Sequence, residues 1–224
     1  MCLVITKKIK IKICGITDEQ SLDVAFKLKV DYVGFVFYPS SPRNISLDKV
    51  NDLIKLKNHD TKIVALTVNA KDCFLEKIIN KINPDYIQFH GSEGPNKCAE
   101  IRSKYNVKII RALEVQNIVS LNREISKYRS FVDEFILDAP KSFLPGGNGE
   151  KFDWKILNNN KIEVDWLIAG GLNISNIKNA LLTTKAMGVD VSSGVEISRG
   201  KKSPKLIEDF VLKCKNIEKV FLND

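Results

Sequence analysis

The chain has 224 residues, 44% of them apolar and 28% charged, and its 35 Lys and Arg against 27 Asp and Glu leave a formal charge of +8. A chain of this length buries roughly 70% of its unfolded surface in one core without metal or disulfide staples, which excludes disordered, fibrous and collagen-like classes. No stretch approaches the ~18 uninterrupted apolar residues of a membrane span, and residues 1–9 place their apolar run before their lysines, the reverse of a secretory signal, so a cytoplasmic protein is expected.

Along the chain, short runs rich in β-branched residues alternate with segments whose apolar residues recur three and four apart. The first run, 9–14, predicts a strand, and Thr17-x-x-Gln20 predicts a capping box for a helix that buries Leu22, Ala25 and Phe26. A strand over 32–37 precedes a helix on Val50, Leu53 and Ile54, capped by Ser46. A strand over 63–68 precedes one on Phe74, Ile78, Ile79 and Ile82. Strands over 86–89 and 107–112 lead to helices marked by Cys98 and Ile101 and by Ile118, Leu121 and Ile125. After a strand over 135–138, residues 139–151 carry Pro140, Pro145, Gly146, Gly147 and Gly149, an irregular loop before helix six. A loop this long inside a compact domain is usually functional. Strands over 166–169 and 188–191 lead to helices on Ile174, Ile177 and Leu181, capped by Asn173, and on Leu206, Phe210 and Val211, capped by Ser203.

The pattern is βα repeated eight times at about 28 residues per unit, which predicts a single-domain (β/α)8 barrel. The barrel spans 10–224, and residues 1–9 are a short extension with no assigned function. An open doubly wound sheet is the alternative on periodicity alone.

Five scattered cysteines (Cys2, Cys14, Cys73, Cys98, Cys214) form no Cys-x-x-Cys pair, and only His59 and His90 are available to join them. Neither a disulfide framework nor a metal site is expected. The basic excess is mostly lysine spread along the chain, without the clustered and aromatic-interleaved pattern of a nucleic-acid surface. Expected partners are therefore small molecules, with no nucleic acid, membrane or partner protein indicated.

In a barrel, function gathers where strands end and βα loops begin. The candidates are Cys14-Gly15, Ser41-Pro42-Arg43, Asn69, His90-Gly91, Arg111, Asp138, Gly170-Gly171 and Ser192-Ser193-Gly194. Paired glycines let main-chain N–H groups approach an anion, so the loops after strands seven and eight suit a phosphate; a mere tight turn is the plainer reading. Cys14 is either a small buried hydrophobe or a thiolate whose pKa the following helix lowers from about 8.5. Asp138 ends an apolar run, where a carboxylate needs a partner or a task, and Asp190 raises the same question inside strand eight. Arg43 has a donor fork suited to a carboxylate or phosphate, unless it is a solvated surface residue. A lone His90 reads more simply as a structural histidine.

Seven segments in chain order together resemble the phosphoribosylanthranilate isomerase family. They are Lys12-Ile13-Cys14-Gly15-Ile16-Thr17; Gly34-Phe35-Val36-Phe37 with Ser41-Pro42-Arg43; Gln88-Phe89-His90-Gly91; Leu137-Asp138-Ala139; Gly146-Gly147-Asn148-Gly149 with Phe152-Asp153-Trp154; Ala169-Gly170-Gly171-Leu172-Asn173; and 189–196. The resemblance implies an Amadori rearrangement in tryptophan biosynthesis, converting N-(5'-phosphoribosyl)anthranilate to 1-(2-carboxyphenylamino)-1-deoxyribulose 5-phosphate. It implies Cys14 as general base, Asp138 as general acid and Arg43 on the anthranilate carboxylate. The phosphate falls to the loops after strands six to eight, with Gly147, Gly149, Gly170, Gly171, Ser192, Ser193 and Gly194, and His90 and Asp190 join the substrate site. No cofactor and no metal are implied, because the substrate's own imine serves as electron sink.

The sequence departs from the family pattern at Asn148, where Thr or Ser is usual, at Thr67 in strand three, and at Ser198-Arg199-Gly200 in place of Pro-Gly. Two rival readings stay open. One is another phosphate-binding barrel enzyme, an epimerase or indole-glycerol-phosphate synthase type; the other is a barrel that binds without catalysis.

Overall fold

The computed structural model describes residues 8–55, 60–140, 153–157 and 162–223. Eight strands, β1 (Lys10–Cys14), β2 (Tyr32–Phe37), β3 (Lys62–Thr67), β4 (Tyr86–Phe89), β5 (Lys108–Glu114), β6 (Glu134–Asp138), β7 (Trp166–Ile168) and β8 (Gly188–Val191), pair in sequence order. The sheet closes where β1 pairs with β8, from Lys10 opposite Gly188 to Ile13 opposite Val191, and its pairings are all parallel. This is the (β/α)8 barrel, and the open sheet is set aside.

Successive side chains of a strand point to opposite faces. Ile11 and Ile13, Val33 and Phe35, Ile63 and Ala65, Ile87 and Phe89 therefore pack outward against the helices in one large core. The inward set fills the barrel with Tyr32, Val64, Tyr86, Ile110, Ala112, Ile136, Leu167 and Ala169, topped by Cys14, Val36 and Leu66. Ile9, placed in the extension by the sequence reading, is buried in the outer core.

The helices among the described residues are α1 (Glu19–Lys27), α2 (Leu47–Ile54), α3 (Asp72–Ile82), α4 (Pro95–Tyr105), α5 (Ile118–Tyr128), α6 (Ile177–Thr184) and α7 (Pro204–Asn223). Where a helix was expected after β6, the described chain has a single 3₁₀ turn, Trp154–Leu157. Trp154 and Leu157 are both buried in the outer core, so one large aromatic covers sheet that a helix would otherwise cover. Between β8 and α7 the sequence reading also missed a 3₁₀ turn, Ser193–Val195, and an antiparallel hairpin of β9 (Glu196–Ser198) and β10 (Lys201–Lys202).

The caps follow side-chain chemistry. Ser46 and Ser203 accept from the amides of Lys49 and Leu206 at the starts of α2 and α7, as expected. The first cap is Asp18 rather than Thr17: α1 begins at Glu19, and the two Asp18 oxygens accept from the Ser21 amide (2.8 Å) and hydroxyl (2.9 Å). Asn173 caps a turn rather than α6, accepting from the Ser175 amide at 2.9 Å, and Asn176 is the residue before the helix.

Candidate active site

A pocket opens at the C-terminal ends of the strands. Among its lining residues are Cys14 from β1, Arg43 after β2, His90 after β4, Asp138 from β6, Gly170 and Gly171 after β7, and Asp190, Ser192 and Ser193 from β8 and its loop. Residues scattered over the whole sequence thus converge because parallel strands all end at one rim. Gly147 and Gly149, with Asn148 and His59, lie outside the described residues. Among the described residues no three His, Cys, Asp or Glu side chains group as metal ligands.

Cys14 shares the inward face of β1 with Lys12, whose side chain has no solvent exposure and whose Nζ donates to Asp190 Oδ1 at 3.0 Å. Both lean over β2 at Gly34: a methyl placed there would lie 3.0 Å from Cys14 Sγ and 3.3 Å from Lys12 Nζ. Burial pushes the Cys14 thiol up, and Lys12 pulls it back only in part. The lowering expected from the following helix is not found. α1 starts only after Thr17 and Asp18, so its end is set back from the thiol. Asp190 is thereby an ion-pair partner, as well as part of the pocket wall.

Asp138 ends β6, 7% exposed, with Oδ1 accepting from the Ala139 amide at 2.8 Å. Its Oδ2 lies 3.5 Å from His90 Nε2, and the far ring nitrogen of His90 is 3.5 Å from the Gln88 amide nitrogen. With that amide facing Nδ1, the tautomer protonated at Nε2 directs its N–H at Asp138.

Arg43 is buried, not solvated, and its fork meets Glu196 at the start of β9: Nε to Oε1 at 2.7 Å and Nη2 to Oε2 at 2.9 Å. Burial alone would raise the Glu196 carboxyl, but Arg43, Lys202 and the Gly200 amide hold it below the usual carboxylate range. Lys202, fully buried in β10, donates to Glu196 at 2.6 Å and to the main-chain and hydroxyl oxygens of Ser192 at 3.0 and 3.1 Å. The Ser192 hydroxyl in turn donates to the Cys14 carbonyl at 3.0 Å, which ties the end of β1 to the loop after β8.

The two glycine loops meet. A Cβ on Gly194 would sit 1.8 Å from the Leu172 carbonyl oxygen, so only glycine lets the β8 loop pack main chain to main chain on the β7 loop. Gly170 and Gly171 reach the pocket with φ of 84° and 61°, and Asn176 secures the turn by donating to Gly171 O at 2.8 Å. Gly194 does not itself line the pocket.

Asn69, Gly91 and Arg111 belong to a supporting cluster. Glu93 accepts from the Asn69 and Gly91 amides at 2.6 and 2.8 Å and pairs with Arg111 at 3.2 Å. Arg111 lies inside β5 rather than at its end, donates to the carbonyls of Phe89 and Gly91, and stacks 5.0 Å from the Tyr128 ring centroid. Its place is under the loop that carries His90.

Sequence reasoning assigned no role to Lys12, Gln88, Asn176, Glu196 and Lys202. A period-two reading of β1 carried a signal for Lys12, on the same face as Cys14. For Lys202 there was none, since its hairpin has no apolar periodicity.

The sequence profile of the N-(5'-phosphoribosyl)anthranilate isomerase family matches residues 11–213. The chain is 40% identical over 204 residues to N-(5'-phosphoribosyl)anthranilate isomerase of Rhodopseudomonas palustris (strain TIE-1), covering 90% of this chain and 95% of that one. It is 41% identical over 206 residues to the enzyme of that name from Rhizobium meliloti (strain 1021), covering 91% and 95%. Among solved structures it is similar to phosphoribosyl anthranilate isomerase from Thermotoga maritima, with TM-score 0.84, 29% identity and coverage of 93% and 99%. A phosphoribosyl anthranilate isomerase in complex with reduced 1-(o-carboxyphenylamino)-1-deoxyribulose 5-phosphate superposes with TM-score 0.78 at 28% identity, covering 93% and 99%.

Proposed function

The chain belongs to the N-(5'-phosphoribosyl)anthranilate isomerase family, and on that premise we propose which of its residues carry the reaction. The enzyme is an isomerase of tryptophan biosynthesis, turning an aminoaldose into an aminoketose. Asp138 gives a proton to the furanose ring oxygen as the bond from that oxygen to C1 breaks, leaving an iminium at C1. The iminium acidifies the proton on C2, and the Cys14 thiolate removes it. The C–H electron pair forms the C1–C2 double bond while the iminium pair returns to nitrogen. The enolamine takes a proton at C1 and loses one from its C2 hydroxyl, giving the ketone. No electrons leave the substrate.

The observation that carries this reading is that Cys14 and Asp138 line one pocket, from β1 and β6, between Arg43 and the two glycine loops. Arg43, oriented by Glu196, faces the anthranilate carboxylate. The main chain of the β7 and β8 loops receives the phosphate, as such loops do in barrels of this kind. His90 holds the Asp138 carboxyl in place through its Nε2–H. The compartment we propose is the cytoplasm, in keeping with the free thiols of Cys14, Cys98 and Cys214.

The test is anthranilate fluorescence. Substrate made in situ from anthranilate and phosphoribosyl pyrophosphate by the transferase that precedes this step should lose its fluorescence when the protein is added. Substrate that only decays back to anthranilate, at the rate seen without protein, would rule the reading out.

A further inference from the structure

The acid and base roles leave the buried ammonium of Lys12, beside the base, without a task. Filling the inside of a barrel needs no cation, and apolar residues of similar volume do as well as a buried ion pair. Lys12 is nevertheless fully buried, bonded to Asp190 across the seam where β1 meets β8, and set with Cys14 Sγ over the bare backbone of Gly34. We propose that Lys12 is a positioning residue that makes the Cys14 thiolate easier to form than burial alone would allow, with Asp190 as the counterweight that limits this pull. The proposal rests on the reading of Cys14 as the general base.

The charges around the thiol favour Lys12 for this task. Lys202 also faces it, from β10, but its ammonium is bonded to Glu196, which is itself bonded to Arg43. Asp138 and His90 line the same pocket from β6 and the end of β4. Of the two cations on the Cys14 face of β1, Lys12 is the one next to it, while Lys10, two residues further back, is bonded to Glu134. Burial opposes the Lys12 charge, yet Asp190 and Cys14 hold its proton above the ordinary lysine value, so the ammonium persists while the thiol titrates. A cation next to a sulfur favours the thiolate, and an anion behind that cation offsets it.

The two members of the pair should therefore move Cys14 in opposite directions. In the full-length protein, the thiolate of Cys14 is read as the ultraviolet absorbance difference between each protein and the same protein carrying Cys14→Ser, as a function of pH. Lys12→Met should raise the pH of half-ionisation by about one pH unit or more and lower kcat/KM at neutral pH roughly tenfold, with binding of a reduced product analogue changed less than about threefold. Asp190→Asn should lower the pH of half-ionisation. Shifts in the same direction, or no shift in either variant, would mean that the pair only fills the barrel and would overturn the proposal. If Lys12→Met does not fold, Asp190→Asn decides alone: a downward shift supports the proposal, and none or an upward one overturns it. An active Cys14→Ser would remove the base reading and the proposal with it, whereas an inactive Cys14→Ser with unchanged titration in the other variants would remove only the role of Lys12.

Discussion

Replacing Cys14 by serine keeps the size of the side chain and discards a thiolate for a hydroxyl far too weak as a base at neutral pH. Cys14→Ser should therefore abolish turnover while thermal stability and product-analogue affinity stay near those of the parent. Asp138→Asn should do the same through loss of the proton donor. Either variant keeping more than about a tenth of the parent kcat, a barrier change under roughly 1.4 kcal/mol, would show that its residue does not transfer the proton. Arg43 allows a second comparison. Arg43→Ala removes a charge-assisted contact worth about 1.5–3 kcal/mol to the analogue and should leave inorganic phosphate binding almost unchanged. Glu196→Gln, outside the pocket, should also weaken the analogue because it frees the arginine to turn. Isothermal titration of both ligands into both variants distinguishes the effects, and equal loss of phosphate affinity in Arg43→Ala would reverse the orientation of the substrate. Cys14 and Asp138 could be found as candidates in the sequence because each is a chemically unusual residue at the end of an apolar run, and Arg43 because its Ser-Pro-Arg turn follows a strand. The ion pairs around them could not: Glu196 lies 153 residues from Arg43, and Asp190, itself a candidate, lies 178 from the Lys12 it pairs with.

The elements divide by how much of their logic is local. β2, β4 and β8 coincide with the runs that predict them, since a strand buried on both faces is dense in apolar residues even where one polar residue, Gln88 in β4 or Asp190 in β8, interrupts it. β5 runs on to Glu114, so Arg111, read as a strand end, is an interior position. The strand extends because Leu113 and Glu114 still pair with Leu137 and Asp138 of β6, a condition set by the neighbour and invisible in the run itself. The β9–β10 hairpin is likewise held by Lys202 and Glu196 rather than by apolar alternation. The loops after β7 and β8 depend on each other in the same way, which gives a test at this scale. Gly194→Ala puts a methyl against the Leu172 carbonyl, and the loops must part. It should weaken phosphate and product analogue together, by about tenfold or more, with the pH profile of the residual activity unchanged. Loss of the analogue alone, with phosphate binding intact, would place the phosphate elsewhere.

Across the whole molecule, the two ends of the barrel carry different work. Opposite the pocket, at the strand starts, Lys10 pairs with Glu134 and Asp165, and Tyr32 donates to Glu134 at 2.7 Å with the Tyr86 ring edge-on at 5.6 Å. Burial and then Glu134 push the Tyr86 phenol up to about 12 and that of Tyr32 further still. For Lys10, burial acts against the charge, but Glu134 and Asp165 outweigh it and raise its proton affinity. Groups that bind protons more tightly when folded stabilise the fold below their unfolded values, about 10 for tyrosine and 10.4 for lysine. That contribution disappears as pH rises towards the folded values, so the barrel should lose stability from about pH 10 upward, approaching the Tyr86 value of about 12. Tyr86→Phe should flatten this alkaline loss in denaturant titrations. Lys10→Met removes the cation that faces Glu134, at a cost of about 1–3 kcal/mol, held below that of a fully buried pair by the partial exposure of Lys10. In a chain of this size that is roughly 2–4 °C of Tm for each kcal/mol. Because stability is built at the strand starts and chemistry at the strand ends, kcat/KM of Lys10→Met at neutral pH should stay within about twofold of the parent. A tenfold fall in activity without loss of Tm would show that the Lys10 layer is coupled to the pocket through the barrel interior, where Lys12 is the next polar residue on the same face of β1.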